Sequence, residues 1–224
     1  MSAPPGGLKA AMKPRHLIMM SLGSAIGTGL FVGSGVGIAT AGPAVLLSYI
    51  IAGAIVLSVM RMLGEMVAAD PNPGAFSYYT GKALGPASGF AIGWLWWIQM
   101  CLVVAAEAAA SAQYLNAIVP GVPVWLLTLV IMVVFTGINL IAVGSFGEFE
   151  FWFSLLKVGF VVLFLVLGVA FLLGFTPAPS PGLGNLVGND FMPTGISGVS
   201  AALLVVIFAF GGVEIVAVAA AETS

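Results

Sequence analysis

From Leu17 to Ala41 the chain runs 25 residues without a charge, yet glycine occupies positions 23, 27, 29, 33, 35 and 37. A helix of that length can cross a bilayer, but one with so many glycines is easily broken in its middle. In hydrocarbon an unpaired amide or carbonyl is costly, so irregular backbone persists only where protein or an aqueous cavity supplies partners. The stretch Gly23-Ser24-Ala25-Ile26-Gly27-Thr28-Gly29 is therefore a candidate binding site. The competing reading is a packing face, because Gly23 with Gly27, Gly29 with Gly33 and Gly33 with Gly37 each have GxxxG spacing, which lets helices approach closely.

A second interruption favours the site. At Phe208-Ala209-Phe210-Gly211-Gly212-Val213-Glu214 another apolar run meets adjacent glycines and then a carboxylate. Two discontinuous helices at corresponding places are the sequence pointer to a transporter site.

Only 6% of residues are charged, 61% are hydrophobic and the mean hydropathy is +1.18, whereas a soluble domain carries about a quarter charged residues. The chain is read as an all-α integral membrane protein. Apolar spans fall at about 17–41, 44–66, 88–117, 124–143, 151–175 and 195–222, giving six helices in one transmembrane domain, 1–224. Breaker clusters separate them: Ala41-Gly42-Pro43, Asp70-Pro71-Asn72-Pro73-Gly74, Pro120-Gly121-Val122-Pro123, Gly144-Ser145-Phe146-Gly147 and the Pro- and Gly-rich connection from Thr176 to Thr194. The first span is too long for a cleaved signal peptide and lacks its small-residue cleavage pattern.

Lys9, Lys13 and Arg15 precede the first span, Arg61 and Lys82 flank the second connection, and Lys157 follows the fourth span. The alternate loops carry no Lys or Arg, so the positive-inside rule places both termini in the cytoplasm, with the protein in the cytoplasmic (inner) membrane and the lipid bilayer as its surroundings. A net charge of -2 without a basic patch gives no nucleic-acid partner. The single cysteine, Cys101, is read as a small buried hydrophobe within the third span; alone it builds neither a disulfide nor a metal site.

Ionisable groups at membrane depth are functional candidates by default. Glu107 sits mid-span among alanines, and two readings stand: a residue that binds and releases a proton, or a glutamic acid bonded to a neighbouring helix. Glu214, directly after the second interruption, suits a gate or coupling role. Lys157 is either a proton-exchanging ammonium or a lysine that snorkels to the interface. Arg61 and Glu65 share a helical face and can pair. Asp70, Glu148, Glu150, Asp190 and Glu222 fall at helix ends or in loops and are read as solvated. The five tryptophans are read mostly as interface anchors and packing residues.

A helix that stops and restarts offers free amides at one pole and free carbonyls at the other. A zwitterion fits that arrangement. Amides around Thr28, Gly29 and Leu30 would receive a carboxylate, and carbonyls at Ala25 and at Phe208 to Gly211 an ammonium group. Phe208 and Phe210 would supply aromatic bulk to the cavity. An amino acid is thus the expected small-molecule partner.

These residues resemble the bacterial amino acid permeases of the amino acid-polyamine-organocation (APC) superfamily, amino acid transporter family. The strings are GSAIGTGLFVGSG at Gly23 to Gly35, RMLGEM at Arg61 to Met66, GEFEFWFSLLKV at Gly147 to Val158 and FAFGGVEIVAVAAAE at Phe208 to Glu222. The resemblance implies the first half of a LeuT-like inverted-repeat fold, with helices one and six unwound around substrate, and proton-coupled uptake. It puts carboxylate contacts on Gly27, Thr28 and Gly29 and amino-group contacts on the carbonyls of Ala25, Phe208 and Gly211, with Ile26 and Ala209 inside the same breaks. It also puts the aromatic gate on Phe208, the acid beside the break on Glu214 and the coupling lysine on Lys157, overturning the snorkelling alternative. No cofactor is implied beyond the proton as coupling ion. Helices seven to twelve of that fold lie beyond residue 224, so the chain is expected to be a permease fragment that does not catalyse uptake alone. The strings AAEAAASAQYL and VPGVPVWL look most like permeases for 4-aminobutyrate and related amino acids, and an exchanger of the same superfamily is the nearest alternative.

Readings from other classes fare worse. Gly195-Ile196-Ser197-Gly198 matches the GxSG of intramembrane serine proteases, but the only histidine, His16, lies at the opposite edge of the membrane from Ser197. A channel would show an arginine ladder or a carbonyl filter, and neither is in the sequence. A dinucleotide loop at Gly27-x-Gly29 lacks its strand and acid.

Overall fold

The computed structural model describes residues 14–72, 74–141, 146–175, 177, 179, 182, 184–187 and 191–215, and these contain helices and turns but no strand. Lys9, Lys13, Asp190, Glu222, residues 142–145 and the end of the last expected span, 216–222, lie outside the described residues.

The helices are α1 Pro14–Ala25, α2 Thr28–Phe31, α3 Gly33–Ala41, α4 Val45–Ala69, α5 Ala75–Leu84, α6 Pro86–Ile118, α7 Val124–Ile141, α8 Phe146–Leu172, α9 Gly184–Val187 and α10 Gly195–Ala209. Among the described residues three stretches are long and apolar enough to cross a membrane: Thr28–Ala69, which takes in α2 to α4, Pro86–Ile118 and Glu150–Leu172. Val124–Leu140 and Gly195–Ala209 are shorter apolar helices. Large hydrophobic side chains such as Phe160, Leu163, Phe164 and Leu167 are exposed along α8, as lipid-facing surface requires.

Two boundaries follow directly from local sequence. The Ala41-Gly42-Pro43 cluster makes no loop: a 3-10 turn, Gly42–Ala44, joins α3 straight to α4. At Gly85 (φ +97°) α5 ends and Pro86 opens α6, because glycine tolerates that backbone and proline at the first helical position lacks only an amide that would go unpaired anyway. α5 is a helix the span pattern does not predict. α8 starts at Phe146, five residues before the expected boundary, with Glu148 in its first turn, where the helix dipole favours an acid.

The described chain forms two compact units. One contains Arg61–Phe149 and the other Ile18–Met60 with Glu150–Val213; Glu214 belongs with the first. In the first unit α5 packs on α6 through small residues. A Cβ at Gly89 would stand 2.7 Å from the Ser77 carbonyl oxygen and 2.9 Å from Gly81 Cα. Asp70, expected to be merely solvated, instead ties the end of α4 to α5. Its carboxylate accepts from Lys82 Nζ at 2.7 Å and Tyr78 Oη at 3.0 Å, and its carbonyl from Tyr79 Oη at 2.8 Å. Arg61 and Glu65 pair at 3.3 Å on an exposed face. Cys101 is exposed on α6 rather than buried, and the Trp96 indole nitrogen is enclosed, as in a packing residue.

In the second unit α3, α4 and α10 share a core of Ala41, Val45, Ala52, Ala202 and Val206, with Tyr49, Leu203 and Phe210 packed against it. Gly33 faces Val205, and Gly37 faces Val45 and Val206, so the GxxxG stripe is a packing face after all. Ser48, fully buried on α4, donates to the Val199 carbonyl of α10 at 2.9 Å. Thr194 donates to the Thr40 carbonyl at 2.9 Å. These bonds tie α10 to α4 and to the end of α3.

Candidate functional site

α1 stops at Ala25, and Ile26 and Gly27 carry the chain out of the helix before α2 restarts at Thr28. Gly27 is extended, φ -133° and ψ -163°, and no side chain caps the restart. The path then continues through Val32 into α3, with Val32 N–H on the Thr28 carbonyl at 2.8 Å and Val36 N–H on that of Val32 at 3.3 Å. A restarting helix leaves its first amides without internal acceptors. Among the described residues the N–H groups of Gly27 and Gly29 have no backbone acceptor, whereas those of Leu30 and Phe31 return to the Gly27 carbonyl at 3.1 and 3.3 Å.

α10 stops at Ala209, and residues 210–214 form turns. Phe210 N–H bonds the Ile207 carbonyl and Gly211 N–H the Phe208 carbonyl, each at 3.1 Å. Gly212 has φ +100°, the left-handed region that glycine enters without strain.

The two interruptions touch main chain to main chain. A Cβ at Gly29 would stand 2.5 Å from Ala209 Cα and 2.8 Å from the Phe208 carbonyl oxygen. A Cβ at Gly212 would overlap the Ser24 carbonyl oxygen. Glycine is therefore required on both sides, by close approach at one and also by backbone angle at the other.

α8 contributes a third component. Lys157 Nζ donates to the Gly23 carbonyl at 3.0 Å, a carbonyl that also accepts from Ile26 N–H at 3.3 Å. It lies in the last turn of α1, where carbonyls lack helical donors and the dipole favours a cation. One turn earlier Ser154, 1% exposed, fills the volume that a Cβ at Gly23 would need.

Ala25, Ile26, Gly27, Thr28, Gly29, Phe208, Ala209, Gly211 and Lys157 all lie in the second unit, and the contacts above gather them at the paired breaks. The two phenylalanines part company. Phe208 stays 44% exposed, while Phe210 turns into the core, its ring 6.2 Å from that of Tyr49 and its edge 3.7 Å from a Cβ at Gly53. Phe210 is thus a packing residue and not a cavity wall. Glu107, half-buried beside the buried Ala108 of α6, and Glu214, half-buried at the end of the turn, belong to the first unit. Ser24 and Gly212 lie inside the two stretches the sequence singles out, whereas sequence reasoning passed over Gly23 as an acceptor and Ser154 altogether. The spacing of Ser154 three residues before Lys157, which puts both on one helix face, was the available signal.

Described residues that are helix and turn throughout, several apolar helices of membrane length, and a helix that breaks and restarts at 26–27 against the stop of α10 define a multi-pass membrane protein. The chain belongs to the amino acid permease family, whose description matches residues 16–224. It is 53% identical over 219 residues to an aromatic amino acid transport protein of Corynebacterium glutamicum, covering 97% of this chain and 47% of that one. It is 49% identical over 220 residues to a gamma-aminobutyric acid permease of Bacillus subtilis, covering 97% and 47%. A gamma-aminobutyric acid permease of Escherichia coli is 47% identical over 224 residues, covering 99% and 48%. The chain spans about half the length of these curated relatives. No solved structure matches it. The family and these relatives are transporters, so the serine-protease reading falls; the Ser197 hydroxyl donates to the Thr194 carbonyl at the start of α10.

Proposed function

We propose that the protein containing this chain is a secondary active carrier, taking up an amino acid across the cytoplasmic membrane by alternating access around the breaks at 26–27 and 210–214. The amides around Gly27, Thr28 and Gly29 receive the substrate carboxylate. The carbonyls of Ala25, Phe208 and Gly211 receive its ammonium group, and Phe208 gates the site. Lys157 carries the coupling proton, Glu107 and Glu214 act in coupling or gating, and the amino terminus is cytoplasmic. The observation that carries this reading is the main-chain contact of Gly29 with Phe208 and Ala209, which sets an amide-bearing restart against a carbonyl-bearing stop. Poles of opposite sign side by side suit a zwitterion. The Lys157 bond to Gly23 supports the coupling role. Relatives named for aromatic amino acids and for gamma-aminobutyric acid favour a substrate of one of those two classes.

The test is uptake of radiolabelled phenylalanine and 4-aminobutyrate by cells expressing the complete gene product, with and without a protonophore. Saturable uptake of one of them that collapses with the protonophore is expected. Absence of saturable uptake for a full amino acid panel would refute the carrier reading, and protonophore-resistant accumulation would refute proton coupling alone.

A further inference from the structure

We propose that the Ser154 hydroxyl is a second hydrogen-bonding station for Lys157, holding its terminal amine beside Gly23 in both charge states. The inference rests on the coupling role proposed for Lys157. Ser154 is 1% exposed and its Oγ is enclosed without a partner among the described residues. Hydroxyls in mid-helix commonly bond the carbonyl four residues back, as those of Ser58, Thr128 and Ser200 do here. Ser154 does not, although an unsatisfied buried hydroxyl is less favourable than an alanine methyl at the same place.

The hydroxyl and the amine converge on one residue. Lys157 Nζ bonds the Gly23 carbonyl at 3.0 Å, and Ser154 Oγ overlaps the position of a Cβ on Gly23, with Ser154 Cα 3.2 Å from that point. The Gly23 carbonyl accepts from lysine in either form, but it offers nothing to the lone pair that appears when the ammonium loses its proton. A hydroxyl serves both forms. It accepts from the ammonium and donates to the amine. Ser154 is therefore a positioning residue for Lys157 and does not touch substrate. If it were only the small side chain that lets α8 approach Gly23, alanine would replace it without effect.

The complete gene product is reconstituted in vesicles as wild type, Ser154→Ala, Ser154→Cys, Lys157→Gln and the Ser154→Ala/Lys157→Gln pair. Proton-driven accumulation of radiolabelled phenylalanine and 4-aminobutyrate is compared with gradient-free exchange of the same substrates, per inserted protein. Ser154→Ala should lose accumulation by about tenfold, the weight of one hydrogen bond to a charged group, and keep exchange. It should add nothing in the Lys157→Gln background, and cysteine, a weak donor, should restore part of the loss. The inference is overturned if Ser154→Ala accumulates normally, loses exchange in step with accumulation, or is additive with Lys157→Gln. Should alanine block insertion, the cysteine variant decides: normal accumulation, or parallel loss of exchange, also overturns it. Normal accumulation by Lys157→Gln sinks the coupling reading itself, whereas a normal Ser154→Ala beside a defective Lys157→Gln sinks only the role given to Ser154.

Discussion

Gly29→Ala probes the contact between the two breaks most directly. Its Cβ would stand 2.5 Å from Ala209 Cα, 2.8 Å from the Phe208 oxygen and 2.9 Å from Ala209 N. Ordinary contact begins near 3.4 Å, so the segments must part by about 0.9 Å. All three neighbours are main-chain atoms, so no rotamer change relieves the overlap. Overpacking costs about 1–3 kcal/mol, and a rigid neighbour puts this case near 3. The same stripe supplies its controls. Gly33→Ala meets a valine methyl at 3.3 Å and Gly37→Ala one at 3.0 Å, both of which can yield, while Gly35→Ala meets nothing within 4 Å and gains about 1 kcal/mol of helix propensity. Thermal midpoints of the purified complete protein should fall in the order Gly35→Ala, at or above wild type, then Gly33→Ala and Gly37→Ala, then Gly29→Ala. Initial-rate uptake should show Gly29→Ala alone with a sharply raised KM or no transport. A Gly29→Ala protein with wild-type midpoint and KM would refute the main-chain contact and the site built on it.

Neighbouring residues on α4 should respond with opposite signs. Ser48→Ala removes a buried hydrogen bond to the Val199 carbonyl, which keeps its donor within α10, and should cost about 0.5–1.5 kcal/mol, whereas Tyr49→Phe removes a buried hydroxyl without a partner among the described residues and should leave the midpoint unchanged or raised; equal losses would contradict both assignments. Gly212→Ala must accept φ +100° and displace the Ser24 carbonyl, so it should be at least as damaging as Gly29→Ala in the same melting series. At the end of α4 the hydrogen bonds from Lys82 and then Tyr78 hold the Asp70 carboxyl below its usual range, and the bond to Asp70 lifts Lys82 above its own. The Asp70 contribution is full above the unfolded value of about 3.9 and fades as pH falls through the lowered one; that of Lys82 is full below about 10.4 and fades as pH rises through the raised one. Amide protection of Tyr78 and Tyr79, corrected for intrinsic exchange, should therefore be flat near neutrality and fall in strong acid, and Asp70→Asn should remove the acid limb. Identical profiles for both proteins would count against the clamp.

The break after Ala25 and the stop after Ala209 were legible in the sequence because hydrocarbon makes open backbone costly, although the glycines of the first span alone could equally have marked a packing face. Lys157 was legible for the same reason, as a charge at depth. Its acceptor was not. Gly23 lies 134 residues away, and no periodicity links a carbonyl to a side chain on another helix. α5 went unseen because AFSYYTGKAL is short, mixed in polarity and flanked by breakers at 71–74 and 85–86. Phe208 and Phe210 look alike in sequence and differ in fate, since the turn after Ala209 swings Phe210 onto Tyr49. Asp70 reads as a loop acid until α5 brings Lys82 and Tyr78 to it.

The glycines of the first span presented packing and breaking as rival uses, and the fold resolves the rivalry by making one depend on the other. Lipid supplies no hydrophobic drive for helix association, so broken helices must be held by close packing and hydrogen bonds. Gly29, Gly33 and Gly37 recur every four residues and face Ala209, Val205 and Val206 in turn, which brings the restarted helix flush against α10. That approach is what sets the opened main chain at Gly29 against Phe208. Had the stripe carried alanines the helices would stand farther apart, and each broken end would face hydrocarbon without the other. Gly23 extends the same logic to α8, where a missing Cβ admits Ser154 and lets Lys157 reach a carbonyl whose only other donor among the described residues is the Ile26 N–H just past α1. Close packing is thus the condition under which unpaired main-chain groups persist at membrane depth.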